Sequence, residues 1–465
     1  MHRNLEERIQ ALGNPARMLR TSQVGAHPFP GVPPEYTNWR DEQESWQKAC
    51  VLFNQSYHMA DLGIEGPDTL KLLSSLGVNS LKNFKVDQAK QFVCCNYDGY
   101  YIGDGILFYL DENKFNLVGR APAQNWVRFH AQTGGYDVRV DLDQRTALRP
   151  DKDRRKYYRF QLQGPKAMLT MEKALGKAPP DLKFFNMTTL NIAGKQVRAL
   201  RHGMAGQPGF ELFGPWEEGE TIRQALIEAG RDFGLHLSGA RTYSSNTLES
   251  GWIPSPLPAI YSGEKMKPYR EWLPAGGFEA MAALGGSFAS DNVEDYYMTP
   301  WDLGYGGFVK FDHDFVGRAA LEAMADGRHR KKVTLALNTD DVIKVIRSHL
   351  ERGPRGKFIE FPSSVYTQHP YDSVTVNGKH VGISTWSGYT ANERKMLTLA
   401  MLDEEYAEPG TEVVLVWGDA DTGVKKPSIE EHVLMNIRAI VSPVPYAEVP
   451  RKEYADVKGW RLETA

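Results

Sequence analysis

Two stretches in the first half of the chain repeat one local pattern, and that repeat limits the available folds more than any other feature. Residues 62–76 read Leu-Gly-Ile-Glu-Gly-Pro-Asp-Thr-Leu-Lys-Leu-Leu-Ser-Ser-Leu, and residues 160–175 read Phe-Gln-Leu-Gln-Gly-Pro-Lys-Ala-Met-Leu-Thr-Met-Glu-Lys-Ala-Leu. Each is a short alternating strand, a Gly-Pro turn (Gly66-Pro67 and Gly164-Pro165) and an apolar-periodic helix, with proline near the helix start where its missing N–H is tolerated. Strand-like runs follow each copy: Tyr100 to Leu110 and Phe115 to Val118 after the first, then Leu190 to Ala193, Gln196 to Leu200 and Phe210 to Phe213 after the second. Two copies of strand–helix–strands predict two pseudo-repeated α+β halves, about residues 50–150 and 151–250, facing each other across a ligand cleft.

The remaining segments are placed around that pair. A helix is expected from Leu5 to Leu19. The proline-rich run 27–37 cannot be helical, and its aromatics Phe29 and Tyr36, with Trp39 just beyond, favour an ordered loop. A helix covers 217–230, with Gly230 as its stop. Residues 251–310, rich in glycine, proline and aromatics, form loops around the cleft, and a helix runs from Arg318 to Met324. From about residue 331 the texture becomes short strands, including Lys332 to Ala336, Ser373 to Val376, Glu412 to Trp417 and Met435 to Val441, with a hairpin turn at Asn377-Gly378. The expected fold class is therefore α+β: residues 1–330 carry the repeated halves and 331–465 form a C-terminal β-barrel-like domain.

The 465 residues carry a formal net charge of −3, which gives no electrostatic sign of nucleic-acid binding. Cys50, Cys94 and Cys95 make no disulfide framework and lack zinc-ligand spacing, so no metal is expected. The polar start Met1-His2-Arg3-Asn4-Leu5 is unlike a signal peptide, and no apolar run is long enough for a membrane span. A soluble cytoplasmic protein without a membrane or nucleic-acid partner is expected; oligomeric state is left open. GxxxxGK[ST], GxGxxG after a strand, HExxH, CxxC and GxSxG are all absent, which removes the sequence handles of phosphate-loop, Rossmann, zincin and α/β-hydrolase chemistry.

Six short motifs occur in order: Gly66-Pro67-Asp68 with its following helix, Pro208-Gly209-Phe210-Glu211, Leu248-Glu249-Ser250-Gly251, Thr299-Pro300, Asp314-Phe315-Val316-Gly317-Arg318 and Gly382-Ile383-Ser384. Together they resemble the folate-binding aminomethyltransferase family of the glycine-cleavage T-protein type. Within that superfamily the runs Val118-Gly119-Arg120-Ala121-Pro122-Ala123, His130 to Tyr136 and Ser245 to Tyr261 are most similar to the tetrahydrofolate-dependent aryl O-demethylases that act on syringate, vanillate or 3-O-methylgallate. T-proteins carry a Gly-Gly-Ile-x-Asp-Asp stretch with an aspartate beside the folate. The comparable stretch is read here as Gly105-Ile106-Leu107-Phe108-Tyr109, without the acidic pair, which counts against aminomethyl transfer.

The resemblance implies methyl transfer from an aryl ether to N5 of tetrahydrofolate. Such a reaction needs alignment of the methyl group, a proton or strong hydrogen bond for the departing oxygen, and exclusion of water. Tyr243, within Arg241-Thr242-Tyr243-Ser244-Ser245-Asn246, is the implied proton donor; its competing reading is a buried tyrosine with a satisfied hydroxyl. Arg120 either binds a carboxylate in two-point fashion or biases Tyr243 toward phenolate. His58 and Gln55 are implied as substrate contacts, with Phe184 as a lining residue. Glu211 is expected to hold the pterin's amino-pyrimidinone edge, Trp252 to pack on its ring system, and Gln161 to line the cofactor site. Lys265, Lys267 and Arg270 could meet the anionic folate tail, or be a solvated basic stretch.

His27 and Phe29 stand where vanillate-type relatives carry tyrosines. That change leaves room for a second methoxy group and points to syringate, giving 3-O-methylgallate and 5-methyltetrahydrofolate. The alternatives are vanillate or 3-O-methylgallate as substrate, another folate-dependent methyl- or aminomethyltransferase, and a folate-binding accessory protein without catalysis.

Overall fold

The computed structural model describes residues 2–26, 29–149, 154–254, 256–421 and 423–452. Eleven strands build the two halves: β1 (Cys50–Asn54), β2 (Ala60–Glu65), β3 (Gln88–Cys95), β4 (Tyr101–Asp111), β5 (Lys114–Gly119), β6 (Arg139–Asp143), β7 (Tyr157–Gln163), β8 (Met187–Ile192), β9 (Lys195–Leu200), β10 (Gly209–Pro215) and β11 (Leu235–Ser238). One sheet has the order β3-β4-β5-β2-β6 and the other β8-β9-β10-β7-β1-β11. The two orders superimpose. In each, a strand that leads into a helix (β2 or β7) lies next to the last strand of a three-stranded meander, antiparallel to it. The sequence repeat is therefore a repeat of sheet topology. The helices that follow the Gly-Pro turns are Thr69–Leu76 and Ala167–Leu175.

The turn glycines explain why the pattern is so sharp. Gly66 has φ 143° and Gly164 φ 130°. A Cβ on Gly66 would lie 2.4 Å from the Asp137 carbonyl oxygen, and one on Gly164 would lie 2.5 Å from that of Ala49. In both halves the backbone passes too close to a neighbouring segment for any side chain.

The halves do not share one core. Leu62, Leu72, Phe92, Leu107, Leu117 and Trp126 belong to the first, and Leu52, Phe160, Leu162, Phe210, Leu212 and Leu226 to the second. Between them Ala89, Phe108 and Val118 meet Met187, Leu200 and Phe213. The chain crosses from the second sheet to the first through residues 55–59, between β1 and β2. That crossing is where Gln55 and His58 sit.

The C-terminal region is a closed six-stranded barrel: Lys331–Leu337, Lys395–Leu402, Lys379–Thr390, Asp372–Val376, Glu412–Trp417 and Met435–Ser442, returning to the first. Asn377-Gly378 makes the hairpin between Asp372–Val376 and Lys379–Thr390. Two of these strands, Lys379–Thr390 and Lys395–Leu402, and the helix Thr339–Ser348 were not anticipated from sequence. The long strand keeps Ser384, Thr385, Ser387 and Thr390 buried alongside its apolar residues, so it lacks the alternation that marks a half-exposed strand.

The N-terminal helix is also corrected. The expected single helix from Leu5 to Leu19 is two, Leu5–Leu12 and Pro15–Thr21. Gly13 ends the first in a left-handed conformation at φ 75°. Asn14 caps the second, its side chain accepting from the Arg17 N–H, with Pro15 as first helical residue. The described part of the proline-rich loop is ordered: the carbonyls of Pro33 and Pro34 accept from the N–H groups of Ala240 and Arg241. Among the described residues no helix is long and apolar enough to cross a membrane.

Gly164→Ala should lower the free energy of urea unfolding by at least about 2 kcal/mol, because both the positive φ and the Ala49 carbonyl oppose a methyl group. An unchanged unfolding midpoint would show that the turn relaxes and that the repeat does not depend on its glycines.

Candidate functional site

A cavity of about 250 Å³ opens where β4, the end of β5 and the loops after residues 201 and 251 converge. Its walls are largely apolar, with Met59, Ile102, Val118, Pro122, Trp252 and Pro254 among them; Asp104, Arg120 and Met204 add polar or polarisable groups. Arg120 follows β5 and caps the helix Ala121–Thr133, with proline in the first turn. Its Nη1 is buried without a hydrogen-bond partner among the described residues. Burial, joined by repulsion from Arg145, pushes its pKa down to about 10, so it remains a cation at neutral pH.

Asp104 is a cavity-lining residue that sequence reasoning missed. The stretch 105–109 is free of acid, but the residue just before it brings a carboxylate into the cavity. Asp104 accepts from Tyr101, from Gln91 and from the Tyr305 hydroxyl at 2.9 Å. Burial raises its pKa against those hydrogen bonds. The signal was there to read: one aspartate between Gly103 and Gly105 in an otherwise apolar strand. The lack of an acidic pair on 105–109 therefore does not by itself separate this chain from aminomethyltransferases. Trp252 closes the same corner, donating from Nε1 to the Tyr305 hydroxyl at 3.1 Å.

Behind Met204 lies an aromatic cluster. Tyr243 ends the short helix Ala240–Tyr243 and is 8% exposed. Its ring lies 4.4 Å from that of His58, 5.2 Å from Phe29 and 5.6 Å from Phe53. Gln55 Nε2 donates to the Tyr243 hydroxyl at 3.4 Å. Burial raises the Tyr243 pKa well above the usual phenol range, against the lowering effects of Gln55 and the Arg120 charge. Burial and the Arg120, Arg145 and Arg155 cations hold His58 well below the ordinary imidazole value, so its ring is neutral near pH 7. Gln55 Oε1 and His58 Nδ1, like Arg120 Nη1, are buried with no hydrogen-bond partner among the described residues. Buried polar atoms are nearly always satisfied, so three orphans around one tyrosine mark a place for a polar ligand.

The other sequence-derived candidates lie further back. Glu211 and Gln161 pair across β10 and β7 and touch each other, Gln161 Nε2 donating to Glu211 Oε2 at 3.0 Å. The other oxygen of Glu211 accepts from Arg159 Nη1 at 2.5 Å, and Arg159 Nη2 donates to Asp61 Oδ1 at 2.8 Å. The guanidinium lies between Phe108 and Phe213, 5.0 and 4.7 Å from their ring centres. Glu211 thus belongs to a buried ion network joining the halves, beside a cavity wall formed by His202, Gly203 and Met204. Phe184 packs on Phe185, 4.4 Å between centroids, and does not line the cavity. His27 lies outside the described residues. Of the three basic residues considered for a folate tail, Arg270 is buried and bonded to Glu6 at 2.5 Å and to three backbone carbonyls.

Comparison with known proteins agrees with this architecture. Residues 15–255 match the model of the GCVT N-terminal domain. The chain is 55% identical to a syringate O-demethylase of Sphingobium sp. over 465 residues, covering all of both chains. It is 30% identical to a sesamin methylene transferase of Sinomonas sp., covering 85% of each. An aminomethyltransferase of Halothermothrix orenii is 26% identical over 83% of this chain and 89% of its own. The fold is shared with the glycine cleavage system aminomethyltransferase T of Bartonella henselae at a TM-score of 0.60 and 19% identity, covering 92% of this chain and 95% of that one.

Arg159→Met should destabilise the protein by about 3–5 kcal/mol, because it leaves Asp61 and Glu211 as buried carboxylates without their shared cation. Thermal and denaturant unfolding measure this, and a loss below about 1 kcal/mol would mean the network is dispensable.

Proposed function

The chain belongs to the GCVT aminomethyltransferase family, and from that premise we propose that it is a tetrahydrofolate-dependent O-demethylase whose substrate is syringate, with Tyr243 as proton donor. The similarity to a syringate O-demethylase over the full length supports the substrate. The observation that carries the site is the convergence of three orphaned polar atoms, on Gln55, His58 and Arg120, around a buried phenol.

Aryl methyl ethers resist cleavage because the leaving group is a phenolate. Tyr243 answers that difficulty. As the methyl–oxygen bond breaks, its electron pair stays on the aryl oxygen and the Tyr243 proton moves onto it. Donor and leaving phenol are the same kind of acid, with a parent pKa of ~10, and an apolar site weakens both as acids, so the transfer stays between like groups. Burial keeps Tyr243 protonated until that moment, and the Arg120 cation stabilises the tyrosinate left behind. Neutral His58 and Gln55 offer hydrogen bonds to the ring's polar substituents, and Phe29 packs against both His58 and Tyr243.

Tetrahydrofolate, when bound, supplies the N5 nucleophile that takes the carbon. The cavity suits its flat ring system: Trp252 and Pro254 form apolar walls and Asp104 brings in a carboxylate. Asp104 is the cavity-lining carboxylate that can meet the N–H donors of an amino-pyrimidinone edge, whereas both oxygens of Glu211 are held by Arg159 and Gln161 behind the lining. Cys50, Cys94 and Cys95 are free and buried, which suits a reducing cytoplasm.

Purified protein should demethylate syringate only when tetrahydrofolate is present, forming one 5-methyltetrahydrofolate for each 3-O-methylgallate. Tyr243→Phe should lower kcat by about 10²–10³-fold with substrate binding largely kept. Preference for vanillate would defeat the substrate assignment, and an active Tyr243→Phe enzyme the proton-donor role. The pH profile supplies a separate check. Because the folded-state pKa of Tyr243 is raised, the donor form persists on the alkaline side. The rate should hold from about pH 7 to about pH 9, falling only above the ordinary phenol range.

A further inference from the structure

Met204 stands between the cavity and Tyr243, and its position is built rather than incidental. Gln161 Oε1 accepts from the Met204 N–H at 3.0 Å, and Gln163 Oε1 accepts from the Ala205 N–H at 3.0 Å. Gln163 Nε2 donates to Gln161 Oε1 at 2.7 Å, and Glu211 anchors Gln161 in turn. Residue 203 is glycine, and a Cβ there would come within 2.0 Å of Gln163 Nε2 and push that amide aside. Two side-chain amides from β7 therefore pin the backbone that carries Met204.

The side chain is held by different partners. Its sulfur accepts from the Tyr243 hydroxyl at 3.0 Å and from Gln55 Nε2 at 3.0 Å. Both donors are those assigned above to the substrate's departing oxygen or its neighbours. A methionine sulfur is a two-coordinate atom bearing a methyl group, as is the oxygen of an aryl methyl ether. It lines the cavity on its open side and covers Tyr243 on the other.

We infer that Met204 is an internal stopper: in the free protein its S–CH₃ group occupies the subsite that the substrate's O–CH₃ group takes during catalysis, and substrate binding displaces it. This rests on the methyl-transfer function proposed above. Methionine suits the task because three rotatable side-chain bonds let it swing while its backbone stays fixed. Thioether sulfur is a weak acceptor, so it satisfies the two buried donors until an ether oxygen replaces it. It also keeps water off Tyr243 while the site waits.

The test is the dissociation constant for syringate, measured by equilibrium titration without tetrahydrofolate in wild type, Met204→Leu and Met204→Ala. Leucine keeps the bulk but cannot accept, so it leaves both donors unsatisfied in the free protein; alanine removes the obstruction. Both variants should bind syringate more tightly, by roughly threefold to tenfold, since displacement or desolvation no longer opposes binding. The gain in Met204→Leu should shrink in a Tyr243→Phe background, where one of the two donors is gone; additive effects would mean that the two side chains are not coupled. Unchanged or weaker binding in both variants would make Met204 a wall of the substrate site and overturn the proposal alone. A wild type that binds syringate but transfers no methyl group to tetrahydrofolate would overturn the function, and this inference with it.

Discussion

A buried guanidinium, that of Arg159, 2% exposed, ties together the two halves of this protein. Arg159 on β7 reaches Glu211 in its own sheet and Asp61 in the other. Arg155 lies alongside it and bonds two carboxylates of the first sheet, Asp143 and Asp61. Charges this deep are costly unless each is matched and hydrogen-bonded. Here Asn116 also donates to Asp61, and Gln161 to Glu211. The need to pair these charges ties the relative placement of β2, β5, β6, β7 and β10 to one arrangement. The site follows from it, because the crossing from one sheet to the other, residues 55–59, delivers Gln55 and His58 beside Tyr243.

The polar core also organises the site indirectly. From Arg159 the contacts run through Glu211 and Gln161 to the backbone of Met204, and from its sulfur to the Tyr243 hydroxyl. Ionic groups at one end are thus linked to a weak, exchangeable contact at the other. The electrostatics around Tyr243 work in the same direction. Burial keeps the phenol protonated, and in the proton-donor role proposed above the nearby Arg120 cation suits the tyrosinate.

How much of the site was legible depends on whether a residue's role is local. The repeat could be read because Gly66 and Gly164 meet backbone constraints that recur in both halves. Tyr243, Arg120, His58 and Gln55 were reached through family resemblance, since nothing in their immediate sequence distinguishes a catalytic tyrosine from a buried one. Asp104 is a lone acid between two glycines, and only the packing of the sheet decides that it faces the cavity. Neither long barrel strand shows a period of two: buried serines and threonines interrupt Lys379–Thr390, and Lys395–Leu402 is buried on both faces almost throughout. The helix from Leu5 was overextended because Gly13-Asn14-Pro15 is a stop followed by a start, and apolar periodicity alone runs through both.

The amino-acid sequence by itself determined the two strand–turn–helix units, the change to short strands near residue 331 and the family to which the chain belongs. These are written in local periodicity and in glycine and proline at fixed offsets, which act over a few residues. Only the tertiary structure decided that Glu211 shares a cation with Asp61, that Asp104 faces the cavity, and that a methionine covers the tyrosine. Those facts depend on side chains 39 to 201 positions apart meeting in a low-dielectric interior. There, pairing and burial set the energies, and linear order carries almost no information about either.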